Sequence, residues 1–220
     1  DSVEAFRALQ HASQIGKVVI SLRDKTPWEA TPNANSFTIS GGTGGLGLLV
    51  GQWVVEWCAR RVQLLSRSGA LGKGARDYWE HISAESGATV GVQLCDVSMK
   101  LEATSVVECS TLETIGMLHS AGVLADALLA NQTQAGIQRV WGPKAHAAWS
   151  LHQASSESQL QAFTLFSSIA ALLGGAGQAN YAAANACLDG LVRLRHEHGQ
   201  AGTSMQWGAW AGAGMAVESQ

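Results

Sequence analysis

From Ser36 to Trp207 the chain alternates short apolar runs with longer stretches in which apolar residues recur at helical spacing. The runs SFTIS (36–40), RVQLLS (61–66), ATVGVQL (88–94), ETIGMLHS (113–120), QAFTLFSS (161–168) and GTSMQW (202–207) read as strands. Between them, Leu46 to Ala59 and Tyr181 to His196 carry clear helical periodicity. Strands that are apolar on both faces, each followed by a helix, predict an α/β fold with a parallel, doubly wound sheet covered by helices on both sides. Right-handed crossovers bring the carboxyl ends of all these strands to one edge, where such sheets bind ligands.

The first 34 residues break this pattern. AFRALQHASQIGKVVISL reads as one helix, a tight turn at Gly16 and one strand, and a polar linker with Pro27 and Pro32 follows. A domain boundary is expected near Ala34, dividing residues 1–34 from 35–220. Nothing repeats at solenoid periods.

Composition narrows the classes. Hydrophobic residues are 46% and charged ones 14%, with 25 glycines, which suits a compact domain with much buried surface. The formal charge of −3, without a basic patch, gives no electrostatic reason to bind nucleic acid or an anionic membrane. Cys58, Cys95, Cys109 and Cys187 lack CxxC spacing and a partnering histidine, so they read as reduced, mostly buried thiols of an intracellular protein, with no metal. No run is long enough to span a bilayer and no signal-peptide layout opens the chain, so the expected location is cytoplasmic.

The strand at 36–40 runs straight into Gly41-Gly42-Thr43-Gly44-Gly45-Leu46-Gly47, and a helix follows. A dinucleotide needs this order, because glycines let the backbone approach the pyrophosphate and free N–H groups at the helix start meet its charge. The spacing of Gly41, Gly44 and Gly47 is that of short-chain dehydrogenases, a Rossmann-like fold. The next strand ends in Ser66-Arg67-Ser68-Gly69. An arginine where NAD-binding sheets carry an acid favours a 2′-phosphate, so the expected cofactor is NADPH. The bland alternative is a solvated loop arginine. Asp96 and Val97, past the third strand, suit contact with the adenine amino group; the alternative for Asp96 is a helix start.

Four polar residues stand where an apolar pattern would not put them. Lys144 lies on the long helix after the fourth strand, Ser168 ends the fifth strand, and Tyr181 and Asn185 sit one turn apart on the next helix. Reduction of a carbonyl needs a proton donor and hydrogen-bond donors for the developing charge. Tyr181 is the candidate acid, Lys144 the cation that lowers its pKa from the ordinary value of about 10, Ser168 the second donor, and Asn185 an anchor for the water that restores the proton. Taken singly, each has a bland reading: a solvated lysine, a strand-end cap, a half-buried aromatic, a helix-surface amide.

These residues lie in segments that resemble the ketoreductase domains of polyketide synthases and of related animal-type fatty acid synthases. The segments are SGGTGGLG, SRSG, CDV, HSAGV, VWGPKAHAAWSLH, FTLFSSIA, GQANYAAANACLD and MQWGAW, in family order from Phe37 to Met215. The motif is Tyr181-Ala-Ala-Ala-Asn185, with the lysine at Lys144, whereas free-standing short-chain dehydrogenases read Tyr-x-x-x-Lys. The resemblance implies NADPH-dependent reduction of a 3-oxoacyl chain carried by phosphopantetheine on an acyl carrier protein, with Ala121 and Gly122 of HSAGV at the cofactor. It implies partner domains in the same polypeptide: a ketoreductase structural subdomain, and upstream an enoylreductase whose tail residues 1–34 resemble.

Family members continue past Gln220 into a lid and a last strand, so the catalytic domain is expected to be truncated here. Ser40 stands where threonine is common, and Ser68 where a second arginine often follows Arg67. Asp126 keeps the last residue of the Leu-Asp-Asp element that accompanies the D-3-hydroxy product, and Leu173 occupies the position at which L-forming domains carry tryptophan. The D product is the expectation, with a helix cap as the bland role of Asp126. The rival functions are a catalytically silent ketoreductase domain and a free-standing reductase.

Overall fold

The structure is a computed structural model, and it describes residues 35–57, 59–72, 75–84, 87–108 and 114–208. Six strands, β1 (Ser36–Ser40), β2 (Arg61–Ser66), β3 (Thr89–Leu94), β4 (Thr114–His119), β5 (Ala162–Ser168) and β6 (Thr203–Trp207), form one sheet in the order β3-β2-β1-β4-β5-β6. Every neighbouring pair is parallel. The order reverses between β1 and β4, which is where an open sheet of this kind leaves a crevice.

The helices are α1 (Gly45–Trp57), α2 (Arg76–Ala84), α3 (Lys100–Glu108), α4 (Gln134–Trp141), α5 (Ala147–Ala154), α6 (Ala170–Leu173) and α7 (Ala179–Glu197). Alternate residues of the central strands feed two separate cores. Ile39, Leu64 and Leu118 pack with Leu48 and Val54 of α1 and Ile82 of α2. Leu65, Met117, Phe163 and Leu165 pack on the opposite face with Ala103 of α3, Leu151 of α5 and Leu188 of α7. The two-residue side-chain period of a strand divides the sheet in this way. Removing one such fully buried leucine, Leu64 or Leu165, to alanine would cost about 2–5 kcal/mol.

The long helix expected after β4 exists with an interruption. A five-residue π-helical turn, Gly142–His146, separates α4 from α5 and contains Pro143. Proline supplies no backbone N–H and clashes with the preceding turn, so the regular ladder cannot run through it.

Among the cysteines, Cys95 is buried as expected, but Cys187 on α7 is exposed, because its position points away from the face that buries Ala184, Leu188 and Leu191. Cys58, Cys109 and the segment 1–34 lie outside the described residues. Among the described residues no helix is long and apolar enough to cross a membrane, and no cluster of His, Cys, Asp and Glu could hold a metal.

Candidate active site

The carboxyl ends of β1, β2 and β4 and the start of α1 enclose a cleft of about 420 Å³. Its lining includes Ser40, Gly41, Thr43, Gly44, Gly45, Leu46 and Gly47 of the loop, Ser66 and Arg67 after β2, Asp96 and Val97 after β3, and Ala121 and Gly122 after β4. Gly42 belongs to the same loop, and its N–H donates to Leu65 O at 3.1 Å. Gly41 has φ of +71°, and a Cβ there would sit 2.6 Å from Ala121 N. A Cβ on Gly47 would lie 2.7 Å from Gly42 Cα and would also collide with Gly41 O. These two positions therefore need glycine: one for its left-handed backbone, the other so that the helix can seat against the loop. The first N–H groups of α1 have no intrahelical acceptor and carry the positive end of the helix dipole. The cradle fits a pyrophosphate.

Ser66 braces the loop by accepting from Thr43 Oγ1 at 2.9 Å and from Gly69 N at 3.1 Å. Arg67, next to it, is exposed and lines the cleft. Asp96 stands between the cleft and the turn that follows β3. It lines the cleft, and its Oδ1 accepts from Ser98 N at 3.0 Å and Ser98 Oγ at 2.7 Å, closing the turn that leads into α3.

Beyond Pro143, at the end of the cleft, stands Lys144. It is 2% exposed, and its Nζ donates to Phe166 O at 2.9 Å. The same Nζ lies 5.8 Å from the centre of the Tyr181 ring. Among the described residues it has no carboxylate partner. Burial pushes its pKa down to about 8, because desolvation disfavours the ammonium form. Asn185 is fully buried; its Nδ2 donates to Tyr181 O at 2.8 Å, and its Oδ1 has no hydrogen-bond partner among the described residues. Ser168 is half-buried at the end of β5, two positions after Phe166, and its Oγ accepts from Ala170 N at 3.2 Å. Lys144, Tyr181 and Asn185 are thus brought together, with Ser168 on the same sheet edge. None of the four lines the cleft itself.

Asp126 does not cap a helix. The next helical turn, Leu129–Asn131, starts after Leu128 with no side-chain cap. Asp126 Oδ2 instead accepts from Gln178 Nε2 at 3.0 Å, and Ala127 N donates to Gly177 O at 2.9 Å. Asn180 Nδ2 adds a bond to Ala125 O at 2.8 Å. These contacts stitch the loop after β4 to the segment leading into Tyr181. Sequence reasoning passed over Gln178 and Asn180, and it gave no role to His119, which is buried between β1 and Lys144. A histidine ending an otherwise apolar central strand beside the phosphate loop was the available signal.

Comparison with known proteins follows the same lines. The family model described as KR domain matches residues 35–212. The chain is 39% identical over 210 residues to polyketide synthase GfsB of Streptomyces halstedii, covering 94% of this chain and 4% of that protein. It is 38% identical over 210 residues to a putative inactive phenolphthiocerol synthesis polyketide synthase, Pks1 of Mycobacterium tuberculosis, covering 94% of this chain and 13% of that one. Among solved structures, an A-type ketoreductase from a modular polyketide synthase superposes with a TM-score of 0.81 at 33% identity, over 90% of this chain and 42% of that one. The chain therefore spans a small part of these curated relatives and less than half of the solved ketoreductase.

Proposed function

The chain belongs to the KR domain family, the ketoreductase domains of polyketide synthases, and from its site we propose that it reduces a 3-oxoacyl thioester with NADPH. The substrate is carried by phosphopantetheine on an acyl carrier protein, and the product is the D-3-hydroxyacyl thioester. Residues 35–220 are the catalytic part of a longer polypeptide that also supplies the structural subdomain. Residues 1–34 are the tail of an upstream enoylreductase. That the chain covers 4% and 13% of two synthase relatives supports the longer polypeptide.

The observation that carries the proposal is the cluster of Lys144, Tyr181 and Asn185 at the same sheet edge as the glycine cradle. NADPH supplies the hydride when bound, with Gly41 to Gly47, Ser66, Asp96, Val97, Ala121 and Gly122 as its bed and Arg67 as the partner of its 2′-phosphate. Tyr181 gives its phenolic proton to the carbonyl oxygen as negative charge builds there, and Ser168 donates a second hydrogen bond to the same oxygen. The Lys144 ammonium, with no carboxylate partner among the described residues, stands 5.8 Å from the centre of the Tyr181 ring, where its charge suits the negative charge left on the oxygen as the proton departs. The buried Oδ1 of Asn185, still lacking a partner, suits the water that returns the proton.

The test is Tyr181→Phe in the intact synthase polypeptide, assayed with a 3-oxoacyl thioester surrogate. Turnover should fall by about 10²–10⁴ while NADPH affinity is retained, since the hydroxyl acts on the substrate. Turnover near wild type in the variant, or none in the wild type, overturns the assignment. The stereochemical part rests on Asp126 in the loop stitched to Gln178 and on Leu173 in place of tryptophan. That loop decides from which side the thioester enters, and so which face of the ketone meets the hydride. Chiral chromatography should return mainly the D product; a majority of the L product means the loop acts otherwise.

A further inference from the structure

His119 closes β4 and is 1% exposed. Its Nδ1 is 3.1 Å from Ser40 Oγ, and its Nε2 is 3.0 Å from Lys144 O. A carbonyl oxygen can only accept, so Nε2 must carry the proton and Nδ1 must accept from the Ser40 hydroxyl. The ring is held neutral as well, because a second proton would be buried facing the Lys144 ammonium. Burial first, and that charge second, push its pKa down to about 3.

Lys144 sits in the middle of the π-helical turn Gly142–His146. Such a turn inserts one extra residue into a helix, and its geometry is rare unless the surroundings hold it. If it relaxed to a regular α turn, residues would rotate by about 100° per position, and Lys144 would swing off its present direction. The side chain is tied at its tip to Phe166 O, and the main chain is tied by His119. His119 in turn is tied to Ser40, the residue that opens the phosphate loop.

We propose that His119 is a positioning residue for the reduction: as the neutral Nε2–H tautomer it holds the π turn so that the Lys144 ammonium stays over the Tyr181 ring, and through Ser40 it ties that placement to the phosphate loop. The inference deepens the ketoreductase reading and rests on it. Lys144 is the charged group that faces the imidazole, and Tyr181 on α7 faces Lys144.

The experiment compares His119→Leu, His119→Gln and Ser40→Ala with wild type in the intact polypeptide, using NADPH and a 3-oxoacyl thioester surrogate. Wild-type turnover comes first; its absence takes down the ketoreductase reading and this inference together. With wild type active, His119→Leu should lower kcat by about ten- to hundredfold, the scale of a misplaced catalytic group, with KM for NADPH little changed. Its pH–rate profile should shift upward, because Tyr181 loses part of the help of Lys144. His119→Gln keeps a carboxamide N–H that reaches Lys144 O, and should recover most of kcat and the wild-type profile. Ser40→Ala should shift the profile in the same direction, and its effect should not add to that of His119→Leu. If His119→Leu does not fold, the Gln and Ser40 variants still decide. A lowered melting temperature with kcat per NADPH-binding site and pH profile unmoved in all three variants makes His119 a merely structural residue and overturns the proposal.

Discussion

Lys144 shows how a single residue works against the stability of the fold it belongs to. Its ammonium is buried, its described hydrogen-bond partner is one carbonyl, and its pKa is down near 8, so close to neutral pH it carries a charge with no carboxylate partner among the described residues. That charge is what the proposed chemistry of Tyr181 uses. Arg67 is the opposite case, an exposed guanidinium lining the cleft, whose proposed work lies in binding alone. A charge-assisted contact of about 1.5–3 kcal/mol corresponds to about ten- to hundredfold in affinity. Arg67→Ala should therefore shrink the ratio of NADH to NADPH dissociation constants by about that factor, measured by fluorescence titration. A ratio that does not move assigns the selection to another residue. The sequence already named both side chains, Lys144 as a charge in an apolar helical pattern and Arg67 as the residue after β2, where NAD-binding sheets carry an acid. It could not name the partners of Lys144, since Phe166 and Tyr181 lie far from it along the chain.

At the level of elements, the β1–loop–α1 unit is the part most tightly specified by its own sequence. Five buried strand residues lead into a turn at Gly41, and α1 begins only five residues after β1 ends. Gly47→Ala tests that economy, because the added methyl meets Gly42 Cα and Gly41 O, which are backbone and cannot rotate away. The helix must back off from the strand. Overpacking of this kind costs about 1–3 kcal/mol, or several degrees in melting temperature for a domain of this size. NADPH affinity should fall with it, since the displaced helix start is the proposed pyrophosphate site; calorimetry and a binding titration check both. The strands observed at 36–40, 61–66, 89–94, 114–119, 162–168 and 203–207 depart from the expected ones by no more than one residue at either end. Continuous Val, Leu and Phe runs bounded by Gly and polar residues leave little room for another register. The helix after β4 was legible only as a helix, because its π turn depends on Pro143 together with contacts from β4 and β5.

For the whole molecule, two buried groups with lowered pKa make stability rise with pH over two windows. His119 has a folded pKa of about 3 against an ordinary 6.5, so the unfolded chain takes up the proton first as pH falls. Its contribution is complete above about 6.5 and is lost progressively toward 3. Lys144 has a folded pKa of about 8 against 10.5, so the folded state sheds its proton first as pH rises. Its penalty is complete below about 8 and is relieved toward 10.5. Each window should show a slope of up to about 1.4 kcal/mol per pH unit in denaturant unfolding. A His119→Gln variant should flatten the acid window, and a Lys144→Met variant the alkaline one; slopes unchanged by these substitutions would show that other groups govern both.

The sequence by itself determined the strands, the parallel character of their sheet and the position of the glycine loop, because these follow from local periodicity and from turns whose residues are neighbours in the chain; the strand order came from the fold. The sequence also picked out Lys144, Ser168, Tyr181 and Asn185, since polar groups in apolar patterns stand out without a structure. Tertiary structure alone decided what those residues touch. The π turn that aims Lys144, the His119 tautomer that holds it, the exposure of Cys187 and the use of Asp126 to bind Gln178 rather than cap a helix all come from segments far apart in sequence. Packing between such segments depends on the three-dimensional path of the chain, and no spacing along it encodes which donor meets which acceptor.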